Sequence, residues 1–384
     1  MKKFILCIII ILLVGVGFYF YTNHKDINFK DATNSIDDSK KVIEFKDVSN
    51  SIFKDNYKKA YNKMKKMSIE EEIGQLFLVR YDNSMTSQYS KYFPSGYVLF
   101  SKDFNGHTKE SIKNELDSIE SNIPLTFAVD EEGGFVTRVS RYSSFRSEKF
   151  LSPRNYYDQG GYDLVKQMEK EKAELLLSIG INLNLAPVAD VSVDPNDFIY
   201  NRSFGLDAKE TSTFIKNMIE YSNEFGISSC LKHFPGYGNN VDTHTGSAID
   251  NRSYETFTSN DYLPFIAGIK EKVPMILVSH NIVTSIDNEV PASLSKKIHE
   301  ELRDKLKFSG IIVTDDLDMS AIKDNYEDGV VRAVNANNDL IITSDFINDY
   351  NKVLDAYKNK IIDKKTIDKA VTRIIAWKYS YNIM

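Results

Sequence analysis

Gly226-Ile227-Ser228-Ser229-Cys230-Leu231-Lys232-His233-Phe234-Pro235-Gly236 runs from apolar residues into two ionisable groups and then into a loop broken by Pro and Gly. The first half reads as a buried strand. Lys232 and His233 stand at its end, and Asp242-Thr243-His244 follows shortly after. Ionisable groups released from the end of a core strand are poor for packing and well placed for chemistry. A surface loop with chance histidines is the plain alternative, although two of the chain's six His fall here.

Working outward, eight apolar, β-branched or aromatic runs can be marked. They are Gln75–Arg80, Gly96–Ser101, Leu125–Asp130, Asn182–Pro187, Ser228–His233, Met275–His280, Gly310–Asp315 and Asp339–Ser344. Most are nearly continuous in hydrophobicity, as strands covered on both faces should be. Helical spacing marks Tyr57–Glu72, Leu164–Ser178, Ala208–Phe225, Leu294–Lys305 and Val330–Asn337. Alternating strands and helices predict an α/β fold, a (β/α)8 TIM-type barrel in a single catalytic domain over 56–384. An open doubly wound sheet competes. The polar residues Asp130-Glu131-Glu132, Asp190, Lys232-His233, Ser279-His280-Asn281 and Thr314-Asp315-Asp316 all fall at strand ends. In a barrel those ends meet on one face, whereas an open sheet spreads them along an edge.

Before the domain, Lys2-Lys3 precede an uncharged run from Phe4 to Tyr21. At helical rise this run spans roughly 27 Å, close to a bilayer core. Residues 1–22 are therefore expected to be a membrane anchor or uncleaved signal, with the remainder exported. Gly15-Val16-Gly17 is a weak cleavage site, so release is the lesser alternative. Residues 23–55, rich in Asn, Asp, Ser and Lys, read as a polar tether. The expected location is the cell membrane, with the catalytic domain outside. Two cysteines, one in the anchor and one in a strand, offer no disulfide framework. A net charge of −6 with no basic stripe argues against nucleic acid as a partner.

Each constellation carries its own alternatives. Asp130-Glu131-Glu132-Gly133-Gly134 is either a ligand-facing cluster or a turn with outward acids. Asp315 and Asp316 could supply a nucleophile, a base or a metal ligand, or could cap a helix beginning near Asp316–Ala321. Arg202 could grip a ligand or pair with a structural acid. Asp242 could orient His244 and raise its basicity. A zinc site of His233, His244, His280 and Asp242 lacks tight ligand spacing, and Lys232 would repel the cation.

Together these segments resemble family 3 glycoside hydrolases, in the NagZ-type β-N-acetylhexosaminidase branch. The matching stretches are 128–134, 184–191, 201–205, 232–236, 242–244 and 314–319, in the family's order from about Ser68 to the C-terminus. The resemblance implies a retaining exo-β-N-acetylglucosaminidase that needs no cofactor or metal. Asp315 would be the nucleophile forming a covalent glycosyl-enzyme, and His244 with Asp242 the acid/base pair. Asp130, Arg202, Lys232 and His233 would bind the non-reducing GlcNAc, with Arg138 also counted as substrate-binding. The implied partners are β-GlcNAc saccharides, above all GlcNAc-MurNAc muropeptides of the cell wall.

Two residues depart from the family pattern. Phe135 stands where Arg is usual, and Tyr237 where His is usual in the Pro-Gly-x-Gly turn. Other β-GlcNAc glycans, a catalytically idle wall-sugar binding protein and a metal-dependent hydrolase are the alternatives. The idle module is disfavoured because pure binding needs no nucleophile and proton relay together.

Overall fold

The computed structural model describes residues 45–240 and 248–384. Among the described residues ten strands run β1 Phe77–Arg80, β2 Gly96–Leu99, β3 Thr126–Val129, β4 Leu183–Asn184, β5 Ser228–Phe234, β6 Ile249–Asp250, β7 Met275–Val278, β8 Ile282–Val283, β9 Ile311–Thr314 and β10 Ile341–Thr343. Eight form one sheet in the order β10-β1-β2-β3-β4-β5-β7-β9, and every pairing within it is parallel. All eight lie within the runs marked in the sequence, save that β5 runs one residue further, to Phe234. The ends meet through a bridge between Val313 and Leu340 and the Thr314 N–H bond to Leu340 O, at 3.2 Å. The sheet is thus nearly closed, and the barrel prevails over the open sheet.

The sequence explains where elements begin and stop. Ser68 and Glu71 form a reciprocal capping box, so the helical stretch expected over Tyr57–Glu72 is two helices, Lys54–Met64 and Ile69–Gln75. Asp207 caps the helix Ala208–Phe225 at its expected bounds, and Gly226, at φ 76°, ends it rather than opening the strand, which begins at Ser228. The segment Leu164–Ser178 is the second part of Pro153–Ser178, which breaks at Gly160-Gly161. Leu294–Lys305 is not one regular helix. It passes through a 3-10 turn, the helix Lys296–Glu300 and a π-turn over Glu301–Lys305.

The packed chain also starts earlier than position 56. Lys46–Ser49 is helical, Val48 and Phe53 are buried, and Asp47 pairs with Lys369 at 2.6 Å and Arg373 at 3.1 Å. Apolar residues scattered among Asn, Ser and Lys hid this start. The apolar run Phe4–Tyr21 and the tether before Phe45 lie outside the described residues. Among the described residues, no helix is long and apolar enough to cross a membrane.

The C-terminal helix Lys364–Ser380 covers the N-terminal mouth of the barrel. Trp377 Nε1 donates to Ser228 Oγ at the start of β5. Lys378 Nζ donates to Gln75 Oε1, Ser95 O and Pro124 O, just before β1, β2 and β3. With that end closed, chemistry is left to the C-terminal end.

Candidate active site

β3 ends next to Asp130, β5 carries Lys232-His233 near its end, and the stretch after β4 carries Asp190. The barrel brings them together. Lys232 Nζ lies 2.7 Å from both Asp130 Oδ1 and Glu132 Oε1. Glu132 in turn takes a two-pronged bond from Arg202, Nε to Oε2 at 3.0 Å and Nη2 to Oε1 at 2.7 Å. Arg138 approaches the other oxygen of Asp130 at 3.7 Å. The result is an alternating row of charges, Arg138, Asp130, Lys232, Glu132 and Arg202. The acids point inward, not outward as in the turn alternative.

His233 continues the row. Its Nδ1 lies 2.7 Å from Asp190 Oδ2, and Arg202 Nη2 lies 3.3 Å from its Nε2. A guanidinium can only donate, so Nε2 accepts and the ring proton sits on Nδ1, donated to Asp190. Asp190 also accepts the backbone N–H groups of His233 and Tyr237. It therefore holds both the ring and the turn that follows β5.

The electrostatics follow from this packing. Burial alone would raise the Glu132 carboxyl, but Arg202 and Lys232 outweigh it and hold it well below the usual carboxylate range. Burial opposes charge on Arg202 and Lys232 as well; Glu132 and Asp130 more than compensate, and both stay cationic. Full ionisation of these groups gives a cluster whose spare donors and acceptors suit a neutral, hydroxyl-rich ligand.

Glu131 does a different job. Its carboxylate accepts the backbone N–H groups of Arg138, Val139 and Ser140, and the Ser140 hydroxyl. This pins the loop that carries Arg138. Asn184, on β4, accepts the Glu131 N–H and donates to its carbonyl.

Asp315 follows β9. Its N–H bonds to Val278 O at the end of β7, at 3.2 Å, and its carboxylate accepts the Asp316 N–H. Burial pushes the Cys230 thiol up against the opposing pull of Lys232, with Asp130 and Asp315 adding to the rise, and the thiol stays protonated. The helix expected near Asp316–Ala321 begins later, as Ser320–Lys323, with Met319 at its cap position and no side-chain cap bond. Asp316 instead accepts from Asp318 N and Ser344 Oγ, and burial raises its carboxyl. His280 reaches Ser293 Oγ at 2.7 Å and Asp316 O at 3.0 Å, bracing the start of the β9 loop.

Asp242 and His244 lie outside the described residues. Among the described residues no group of three or more His, Cys, Asp or Glu is placed to hold a metal ion. Tyr237 is buried, edge-on to His233, with ring centroids 5.0 Å apart. Phe135 projects into solvent.

Residues 68–377 match the glycosyl hydrolase family 3 N-terminal domain. The chain belongs to glycosyl hydrolase family 3. Its relatives include Beta-hexosaminidase A of Pseudoalteromonas piscicida, 31% identical over 275 residues, covering 66% of this chain and 46% of that one. Beta-hexosaminidase of Tolumonas auensis is 32% identical over 255 residues, covering 64% and 74%. Among solved family 3 folds, a β-N-acetylglucosaminidase from Paenibacillus sp. superposes with a TM-score of 0.75 at 24% identity, over 83% of this chain and 63% of that one. A glycosyl hydrolase from Mycobacterium smegmatis gives 0.72 at 23%, over 82% and 98%.

Glu132 and Asp190 sit in stretches that the sequence marks, yet their roles were not legible there. The one visible signal was the cost of three adjacent acids at a strand end, which demanded cationic partners. The partners, Arg202 and Lys232, lie 70 and 100 positions further along the chain.

Proposed function

We propose that this family 3 protein is a retaining exo-β-N-acetylglucosaminidase that removes non-reducing terminal GlcNAc from GlcNAc-MurNAc fragments of the cell wall. The row from Arg138 through Asp130, Lys232, Glu132 and Arg202 to His233, at the same end of the barrel as Asp315, carries the reading. The charged row grips the hydroxyls of the terminal sugar. This leaves the anomeric carbon to Asp315. Such contacts accelerate the reaction only where they tighten as the ring flattens toward its oxocarbenium-like transition state.

In the first step Asp315 forms a bond to the anomeric carbon. The glycosidic bond breaks, and its electron pair leaves on the aglycone oxygen, which takes a proton from His244. In the second step water attacks the same carbon, His244 takes its proton, and Asp315 leaves as carboxylate. Asp242 orients His244 throughout. The apolar run Phe4–Tyr21 anchors the enzyme to the membrane, with its domain facing the wall.

The test is release of nitrophenol from its GlcNAc β-glycoside. Asp315→Ala in the full chain is expected to lose on the order of 10⁴-fold or more in kcat with its circular dichroism unchanged. Full activity in that variant would overturn the proposal.

A further inference from the structure

His280 stands two residues beyond β7 and is completely buried, yet the proposed reaction gives it no part. An imidazole inside a barrel is costly unless its nitrogens are engaged. Here each has a partner. Nε2 lies 3.0 Å from the Asp316 carbonyl oxygen, which can only accept, so Nε2 carries a proton. Nδ1 of the neutral ring then accepts the Ser293 hydroxyl at 2.7 Å. Ser293 is itself fixed. Its N–H donates to Ser279 O at 2.9 Å, and its carbonyl accepts Asn338 Nδ2 at 2.8 Å. The hydroxyl therefore sets both the rotation of the ring and the nitrogen that holds its proton.

What the ring holds is the backbone that aims Asp315. The Asp316 N–H donates to Asp315 Oδ1 at 2.9 Å. That N–H is kept in place from several sides. Asp315 N donates to Val278 O at 3.2 Å and Leu317 N to Ile342 O at 3.1 Å, tying the turn to β7 and β10. Ser344 Oγ donates to Asp316 Oδ2 at 2.7 Å. His280 adds the bond to the carbonyl of Asp316, the same residue whose N–H meets the Asp315 carboxylate. The peptide leaving Asp316 cannot turn without breaking it.

We infer that His280 is a positioning residue for the nucleophile: through the Asp316 backbone it holds the Asp315 carboxylate at the angle from which it attacks the anomeric carbon. The inference rests on the glycosidase reading and deepens it. A reacting group displaced by about 1 Å can lose on the order of 100-fold in rate, while the grip of the charged row on the sugar is untouched. A histidine that served packing alone would change stability and leave the rate of the folded enzyme as it was.

The full chain is assayed on the nitrophenyl β-glycoside and the β-fluoride of GlcNAc, with GlcNAc as competitive inhibitor. His280→Leu is expected to lower kcat/KM about 100-fold on both substrates, because the bond to Asp315 forms whichever group leaves. The inhibition constant of GlcNAc is expected to stay within about twofold of the native value. His280→Gln, whose amide can donate to the Asp316 carbonyl, is expected to recover about tenfold of the loss. Ser293→Ala keeps the ring and removes the hydroxyl on Nδ1, and is expected to lose about fivefold. A folded His280→Leu chain with native kcat/KM, a loss of GlcNAc inhibition as large as the loss of rate, or a glutamine variant no better than the leucine one overturns the positioning role and leaves the glycosidase reading standing. If His280→Leu does not fold, a native rate in Ser293→Ala overturns the role. A native chain that hydrolyses neither substrate overturns the role and the glycosidase reading together.

Discussion

At the scale of single residues, the site depends on carboxylates that hold other groups in place. Glu132 is buried between Arg202 and Lys232. Glu132→Ala would leave Arg202 without its carboxylate and Lys232 with Asp130 alone, a loss of about 3–5 kcal/mol measurable as a lower urea midpoint. The folded-state carboxyl is depressed, so this stabilisation is complete above pH ~4.5 and disappears as the pH falls below that. Asp190 fixes the His233 tautomer and two backbone N–H groups. Asp190→Asn is expected to weaken competitive inhibition by GlcNAc about 10- to 100-fold, equivalent to ~1–3 kcal/mol of lost hydrogen bonding. An unchanged inhibition constant would count against any role for His233 in holding the sugar. Residue types were legible from the sequence because ionisable groups at core-strand ends are costly. Pairings such as Lys232 with Glu132 were not, since contacts between residues so far apart in the chain leave no local trace.

At the scale of elements, the strands were the most readable. Burial on both faces forces unbroken apolar runs, and these stand out from the rest of the domain. Gly96 opens β2 opposite Thr126, and a Cβ there would meet the Thr126 carbonyl oxygen at 1.9 Å. Gly96→Ala should therefore force β2 and β3 apart and destabilise the fold by on the order of 3 kcal/mol, read as a lower thermal midpoint. Helices with a marked cap and stop, such as Ala208–Phe225, were also legible. The segment Leu294–Lys305 was not. Its 3-10 and π turns depart from the 3.6-residue period, so helical spacing does not register them. β4 is short, Leu183–Asn184, because Pro187 has no N–H to extend the ladder, and pairing with β5 resumes at Val188 opposite Lys232.

At the scale of the whole molecule, the two ends of the barrel differ in kind. The C-terminal end gathers paired ionised groups, with Arg138, Asp130 and Arg202 the more exposed of them. The N-terminal end is plugged by Lys378, whose three acceptors are all neutral, and burial pulls its ammonium down to about 7. The unfolded lysine titrates near 10.4, so between about pH 7 and 10.4 the unfolded chain binds more protons than the native one. Stability should rise with pH across that window, and Lys378→Met should flatten the rise in a series of thermal melts. The amino-acid order by itself determined the eight strands, the identity of the ionisable groups at their ends and the family they resemble, because burial and capping are written locally. Only the tertiary structure decided that the strand ends converge and that Glu132 and Asp190 are the hubs of the charged row. Those outcomes follow from closure of the sheet, which brings distant residues within hydrogen-bonding distance and which no local stretch of the chain encodes.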